Sequence, residues 1–226
     1  MNNIDSDLEL KSLLWGLEAV SWIFRGADGG QWRSAGQDCL PGLAGVLLFL
    51  ESRGLVENDV LDKAEGIHAM VAGVAAEPTM DPEDLEAEYV RLFVNRLGGL
   101  GVPLCQSSYG EDGLLMGAAA EDMRRRLGRA GLQVSDALPP DHISIEIGCL
   151  MSLLSSRFAS DHPRIPHDDS ASLFAVQVLL PWVGELEARM RQAEAHDLFQ
   201  VAAATLTAMV RHISAQGDHF PVEQQA

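Results

Sequence analysis

The chain has 226 residues, 47% of them hydrophobic, enough for one sizeable core and too many for wholesale disorder. Against 33 Asp and Glu stand only 16 Lys and Arg, a formal net charge of −17 that repels a nucleic-acid backbone and suits a cationic partner, unless it serves solubility alone. The cysteines Cys39, Cys105 and Cys149 form no C-x-x-C pair, which argues against a disulfide framework and a cysteine-type zinc site.

The N-terminus, Met1 to Asp7, is acidic and lacks the basic and apolar regions of an export signal, so a cytoplasmic location is expected. Helical spacing dominates and no alternating strand stands out. A first helix is predicted over about 8–24, with Leu10, Leu13, Leu14, Leu17, Val20 and Ile23 on one stripe. A second covers about 41–53 and stops at Gly54; the apolar run that overlaps it, Cys39 to Leu50, is too short to span a bilayer. A third is expected over 58–76, ending before Pro78.

The fourth helix carries the clearest signals. Asp81 stands at the N-cap and Pro82 at the first helical position, with Glu83 and Asp84 in the first turn. Leu85, Tyr89, Leu92 and Phe93 mark its buried face. The glycine- and proline-rich stretch 98–110 cannot be regular helix. A fifth helix over 117–129 ends in Arg124, Arg125, Arg126 and Arg129, with Gly131 as its C-terminal cap. The sixth, about 141–159, is apolar almost all round and reads as the central helix. A polar, proline-bearing hinge at 161–169 precedes two last helices, 170–192 and 196–215, the first kinked at Pro181.

Catalytic templates find little support. There is no phosphate-binding G-x-x-x-x-G-K-[ST] loop, no G-x-S-x-G elbow and no H-E-x-x-H pair. His162 and His167 share a loop without an evident third metal ligand, so no metal is expected. His142 and Glu146 lie one helical turn apart and could pair in greasy surroundings. The ordinary structural account is that Asp141 caps the helix while His142 and Glu146 satisfy each other; a catalytic dyad would need a nucleophile beside it. Tyr89 and Phe93 form a second constellation, an aromatic ledge followed by Pro103, Ser107 and Tyr109. Six acids crowd residues 77–88 just before it, a combination that suits a basic, amphipathic peptide, although such aromatics also serve as plain core.

These stretches in this order resemble the TorD/DmsD family of cytoplasmic redox-enzyme maturation chaperones, which has NarJ-type chaperones as relatives. The matching pieces are Glu86 to Phe93, Pro103 to Tyr109, Pro140 to Glu146 and Leu179 to Trp182. The resemblance implies an all-α fold, a single domain over 1–226 with a hinge near 161–169. It implies a non-catalytic chaperone without a cofactor of its own. Its partner would be the catalytic subunit of a molybdoenzyme, bound in apo form and through its twin-arginine signal peptide before export. It assigns Tyr89, Leu92, Phe93, Ser107, Tyr109, Asp141, His142 and Glu146 to the client-binding pocket or its support, with Asp141 and His142 foremost and reachable. It also implies domain-swapped homodimers and a weak affinity for guanine nucleotide in some members. The chain departs from the family at Pro103-Leu104-Cys105, where a paired proline and an aromatic are usual, and at Val178, where histidine is frequent. Two other functions fit the same residues: a GTP-dependent hydrolase using His142 and Glu146, or a non-catalytic regulatory interaction domain.

Overall fold

Helix ends fall where local chemistry demands them. The computed structural model describes residues 3–26, 31, 32, 34, 38–71, 81–94, 101–110, 113, 115–132, 138–155 and 170–216. Among these residues all regular structure is helical, in line with the all-α expectation, apart from a single antiparallel bridge between Cys105 and His142. The predicted hinge at 161–169, with His162 and His167, lies outside the described residues, as do 72–80 and 95–100.

Helices α1 (Asn3–Arg25) and α2 (Leu40–Ser52) pack side by side. A Cβ built on Gly16 would come within 2.5 Å of Val46, and one on Gly42 within 2.7 Å of the Trp15 carbonyl. Glu9 meets Arg53 at 3.0 Å, so residue numbers run in opposite senses along the contact and the pair is antiparallel. The predicted stop at Gly54 is real: it takes φ +65°, and the Leu55 amide donates back to the Leu50 carbonyl at 3.0 Å. Helix α3 (Asn58–Val71) follows.

Helix α4 (Pro82–Tyr89) begins as the sequence predicts, with the Asp81 carboxylate accepting from the Glu83 amide at 2.9 Å. It widens into a π turn at Val90–Val94. Helix α5 (Ala118–Arg129) closes on Gly131, where the Leu132 amide reaches the Leu127 carbonyl at 2.9 Å. Arg124 and Arg125 pair with Glu121 and Asp122 on their own exposed helix face. Arg126 turns inward to Asp122, Gln177 and the Phe174 ring.

Helix α6 (Ile143–Ser155) starts two residues later than predicted, leaving Asp141 and His142 in the preceding turn. His142 caps it: the Ser144 amide donates to Nδ1 at 3.2 Å. Pro181 lacks the amide hydrogen that would close a regular turn, and the chain accommodates it with a second π turn. The order is α7 (Ala171–Phe174), the π turn Ala175–Leu179, then α8 (Leu180–Gln192). The span Ala171–Gln192 is long and apolar enough to cross a membrane by length and composition, but half of it is buried within the protein.

The most enclosed helix is α9 (Asp197–Ala215), not α6 as the apolar pattern suggested. Every residue from Val201 to Val210 is buried, and α9 touches α1, α2, α3, α7, α8 and the π turn at Ala175–Leu179. Ala202, Ala203, Ala204 and Ala208 let neighbouring helices approach closely, while Thr205 and Thr207 return their hydroxyls to the carbonyls of Val201 and Ala203 at 2.7 and 3.1 Å. At the far end of the bundle, buried Glu9 collects Arg53, His212 at 2.7 Å and Gln216, tying α1 to the last turns of α9. Burial raises its pKa, but the hydrogen bonds from His212 and Gln216 and the Arg53 charge prevail, so the carboxyl is held below its ordinary value.

Candidate functional site

Residues 101–109 form a strap that joins α4's continuation to the start of α6. Its first anchor is the Val102 amide, which donates to the Leu92 carbonyl at 2.8 Å. The Leu104 carbonyl then accepts from the Ile143 amide at 2.8 Å, and the Gln106 amide donates to the Asp141 carbonyl at 3.0 Å. The strap ends in a short 3-10 turn, Gln106–Tyr109, whose Ser107 amide donates to Asp141 Oδ2 at 2.8 Å. Gln106 adds a side-chain bond to the Val178 carbonyl at 3.1 Å, in the π turn ahead of Pro181. The two sequence motifs that looked separate are therefore one hydrogen-bonded unit.

Beneath the strap lies a polar interior. Glu146 is fully buried and its Oε2 accepts from Trp182 Nε1 at 3.1 Å. Trp182 carries Tyr109 on its other side, with ring centroids 5.0 Å apart, and Arg189 covers the Tyr109 ring at 4.3 Å. The Tyr109 hydroxyl donates to the Pro103 carbonyl at 2.8 Å, closing the strap on itself.

The burial of Asp141 and His142 corrects one expectation. Asp141 has no exposed surface and His142 retains 6%, so neither stands open to a partner. Both are occupied in fastening the strap and starting α6. Nor do His142 and Glu146 pair: Nδ1 of one faces the Ser144 amide, and the carboxyl of the other faces Trp182. Burial lowers the His142 pKa to about 4 against the opposing charge of Asp141, and with Nδ1 accepting from the Ser144 amide the neutral ring carries its one N–H on Nε2. Burial pushes the Glu146 carboxyl well above its ordinary pKa; the Trp182 bond offsets this in part and the Asp141 charge adds to it. An imidazole whose lone pair is taken by the Ser144 amide and that does not meet Glu146 does not form a general-base dyad with it.

The aromatic ledge belongs to a different neighbourhood. Leu92 is buried, whereas Tyr89 and Phe93 are half-buried. Their rings lie 4.8 Å apart, and Phe93 meets Phe24 at 6.3 Å and Phe199 at 5.5 Å. The Tyr89 hydroxyl donates to the Phe24 carbonyl at 3.1 Å, against the turn at Gly26 that ends α1. Burial lifts its pKa to about 12. Val94, beside this ledge, is 61% exposed. Glu88 holds Arg91 at 2.6 Å and accepts from the His196 amide at 3.0 Å, so one acid of the predicted cluster has a structural task.

Sequence reasoning about the site missed Trp182, Arg189 and Gln106. The Leu-Pro-Trp run was the available signal, but its partners are remote: Glu146 lies 36 residues from Trp182. Among the described residues no group of three or more His, Cys, Asp or Glu is placed to hold a metal ion. All three cysteines are buried and none is in a disulfide.

The chain is a helical protein with a strap clamped to a helix start over a buried acid. Residues 57–188, more than half of the chain, match the nitrate reductase delta subunit family. The chain belongs to this TorD/NarJ family. It is similar to the chaperone protein TorD of Vibrio cholerae, with 30% identity over 178 residues, 74% of this chain and 77% of the relative. A TorD of Vibrio vulnificus is 28% identical over 163 residues, 69% of this chain and 74% of its own. With a TorD from a second Vibrio cholerae strain the match covers 132 residues at 30% identity, and the chain spans only 60% of that relative's length. A solved structure of a candidate redox enzyme maturation protein from Archaeoglobus fulgidus aligns over 95% of this chain and 94% of its own, at 21% identity and a TM-score of 0.42.

Proposed function

We propose that this chain is a cytoplasmic, non-catalytic chaperone for the maturation of a redox enzyme, and that it binds the apo catalytic subunit of a molybdoenzyme through its twin-arginine signal peptide. The observation that carries the reading is the fastening of the strap. Asp141 and His142 do not meet the client; they hold residues 101–109 from beneath, with Ser107 as the tethered point. The docking surface is then the outer side of the strap and the partly open ledge of Tyr89, Phe93 and Val94. A leader peptide pairs two arginines with an apolar stretch. A net charge of −17 attracts the first, and half-buried aromatics accept the second. The chain acts as one helical domain, with exchange of the last helices at 161–169 as its route to a homodimer.

Calorimetry with the twin-arginine signal peptide of a molybdoenzyme catalytic subunit tests the proposal. Saturable binding is expected, weakening with salt and lost when both peptide arginines become alanine. Asp141→Ala should weaken binding about tenfold or more by releasing the strap, an effect of about 1–3 kcal/mol for an orphaned buried amide. Absence of heat and of competition by the apo-enzyme would end the reading.

A further inference from the structure

Helix α1 turns a stripe of side chains to solvent at helical spacing. Leu8, Lys11, Trp15 and Glu18 are exposed along it, and Trp22 is half-buried near its end. Leu8 keeps 58% of its surface and Trp15 63%, which makes Trp15 the most exposed large hydrophobic side chain among the described residues. An indole left in water is an unfavourable arrangement unless something covers it. The Trp22 ring is already fixed, edge-on to Trp32 with centroids 5.0 Å apart. Alongside, α2 exposes Pro41, Gly45, Leu48 and Ser52, none of them charged, and Gly45 has open space where a side chain would stand.

The charges on this side of α1 are balanced and unused. Asp7 and Glu18 stand against Lys11 and Arg25, which cancel to zero on a chain whose formal net charge is −17. All four are exposed, and among the described residues none of them has an ion pair or a side-chain hydrogen bond. Exposed arginines elsewhere behave differently. Arg124 and Arg125 on α5, and Arg189 and Arg191 on α8, are each neutralised by an acid of their own helix. Along α1 the order from Asp7 to Arg25 is acid, base, acid, base. Laid against itself in reverse, such a helix sets every charge opposite its counterpart.

We propose that the exposed side of α1 is a self-association face, on which a second copy of this chain docks antiparallel about a two-fold axis at Trp15. A two-fold interface is made by one patch on both partners, so the patch must complement itself. Here it does. With Trp15 on the axis, Leu8 of one copy meets Trp22 of the other, and Lys11 of one meets Glu18 of the other. Asp7 and Arg25 come together at the two ends. Trp15 is the aromatic anchor at the centre, and the charged pairs form the rim that fixes the direction of docking. The net negative charge repels other copies over most of the surface, and this balanced face is where a copy can approach. The contact is separate from an exchange of the last helices at 161–169, and it leaves the strap and the Tyr89 ledge out of the interface.

Sedimentation equilibrium of the full chain tests this. Between about 1 μM and about 200 μM the average mass should rise from 24.4 kDa toward twice that value, and dilution should reverse it. Trp15→Ala should weaken the dimer about tenfold or more. Lys11→Glu and Glu18→Lys each set like charges against one another, and each alone should weaken it about fivefold or more. The decisive arm mixes these two charge variants. One then carries only acids at positions 11 and 18 and the other only bases, so the equimolar mixture should dimerise at least as tightly as the wild type. A change that merely disturbed the fold would not be cured by mixing, and this arm does not depend on how Trp15→Ala folds. A wild type that stays monomeric over the whole range would overturn the proposal. So would two charge variants that ignore each other. A dimer indifferent to all three substitutions would also overturn it, and would point to exchange of the last helices instead.

Discussion

Helix α9 and the interior beneath the strap are both buried, yet they are built on opposite terms. Around α9 the walls are Leu, Val, Phe and Met, the small residues permit close packing, and the two threonines satisfy themselves within their own helix. Beneath the strap two carboxyls, an imidazole and two serine hydroxyls are enclosed, and four atoms are left without partners. The first region gains its stability from area and fit. The second gives stability up in order to hold one irregular segment in one place, which is the signature of a region kept for something other than folding.

Substitutions can break or sharpen this contrast. Phe199→Ala should have the largest effect, about 3–5 kcal/mol in urea unfolding, since it empties a fully buried aromatic position on α9 where three rings meet. Glu9→Ala should cost about 3 kcal/mol at neutral pH, because it strands His212 and Gln216 beside an unpaired Arg53. Since the Glu9 carboxyl is held below its ordinary value, its contribution is present above that value and is lost as pH falls through the depressed one. Acid unfolding of wild type and Glu9→Gln should therefore converge at low pH. Trp182→Phe removes the donor to Glu146 but keeps the packing, and about 1–2 kcal/mol is expected. If Trp182→Phe proved as damaging as Phe199→Ala, the polar interior would be an ordinary core and the contrast would fail. Arg124→Ala, on the exposed face of α5, should change stability by less than about 0.5 kcal/mol.

Local chemistry was readable from the residues alone. The Asp81 cap, the stops at Gly54 and Gly131 and the break around Pro181 all depend on neighbours within a few positions. The enclosure of α9 was not readable, because alanine and threonine contribute little to an apolar pattern, whereas the isoleucines of α6 contribute much. Glu9 was passed over because its partners lie at positions 53, 212 and 216. At the site, Ser107 and Asp141 are brought together by a hydrogen bond, while Asp141 and His142, expected to be reachable, are buried. Spacing put His142 opposite Glu146, and only the packing of α8 reveals that Trp182 takes that partner instead.

The wide turn at Ala175–Leu179 has a consequence for how this surface can change. One extra residue in a helix rotates everything beyond it by about 100°. Deleting a single residue there would tighten the coil and swing the indole away from the acid it serves, while leaving the hydrophobic composition of the helix nearly intact. The phase of that helix, more than its content, decides which side chains look toward the strap.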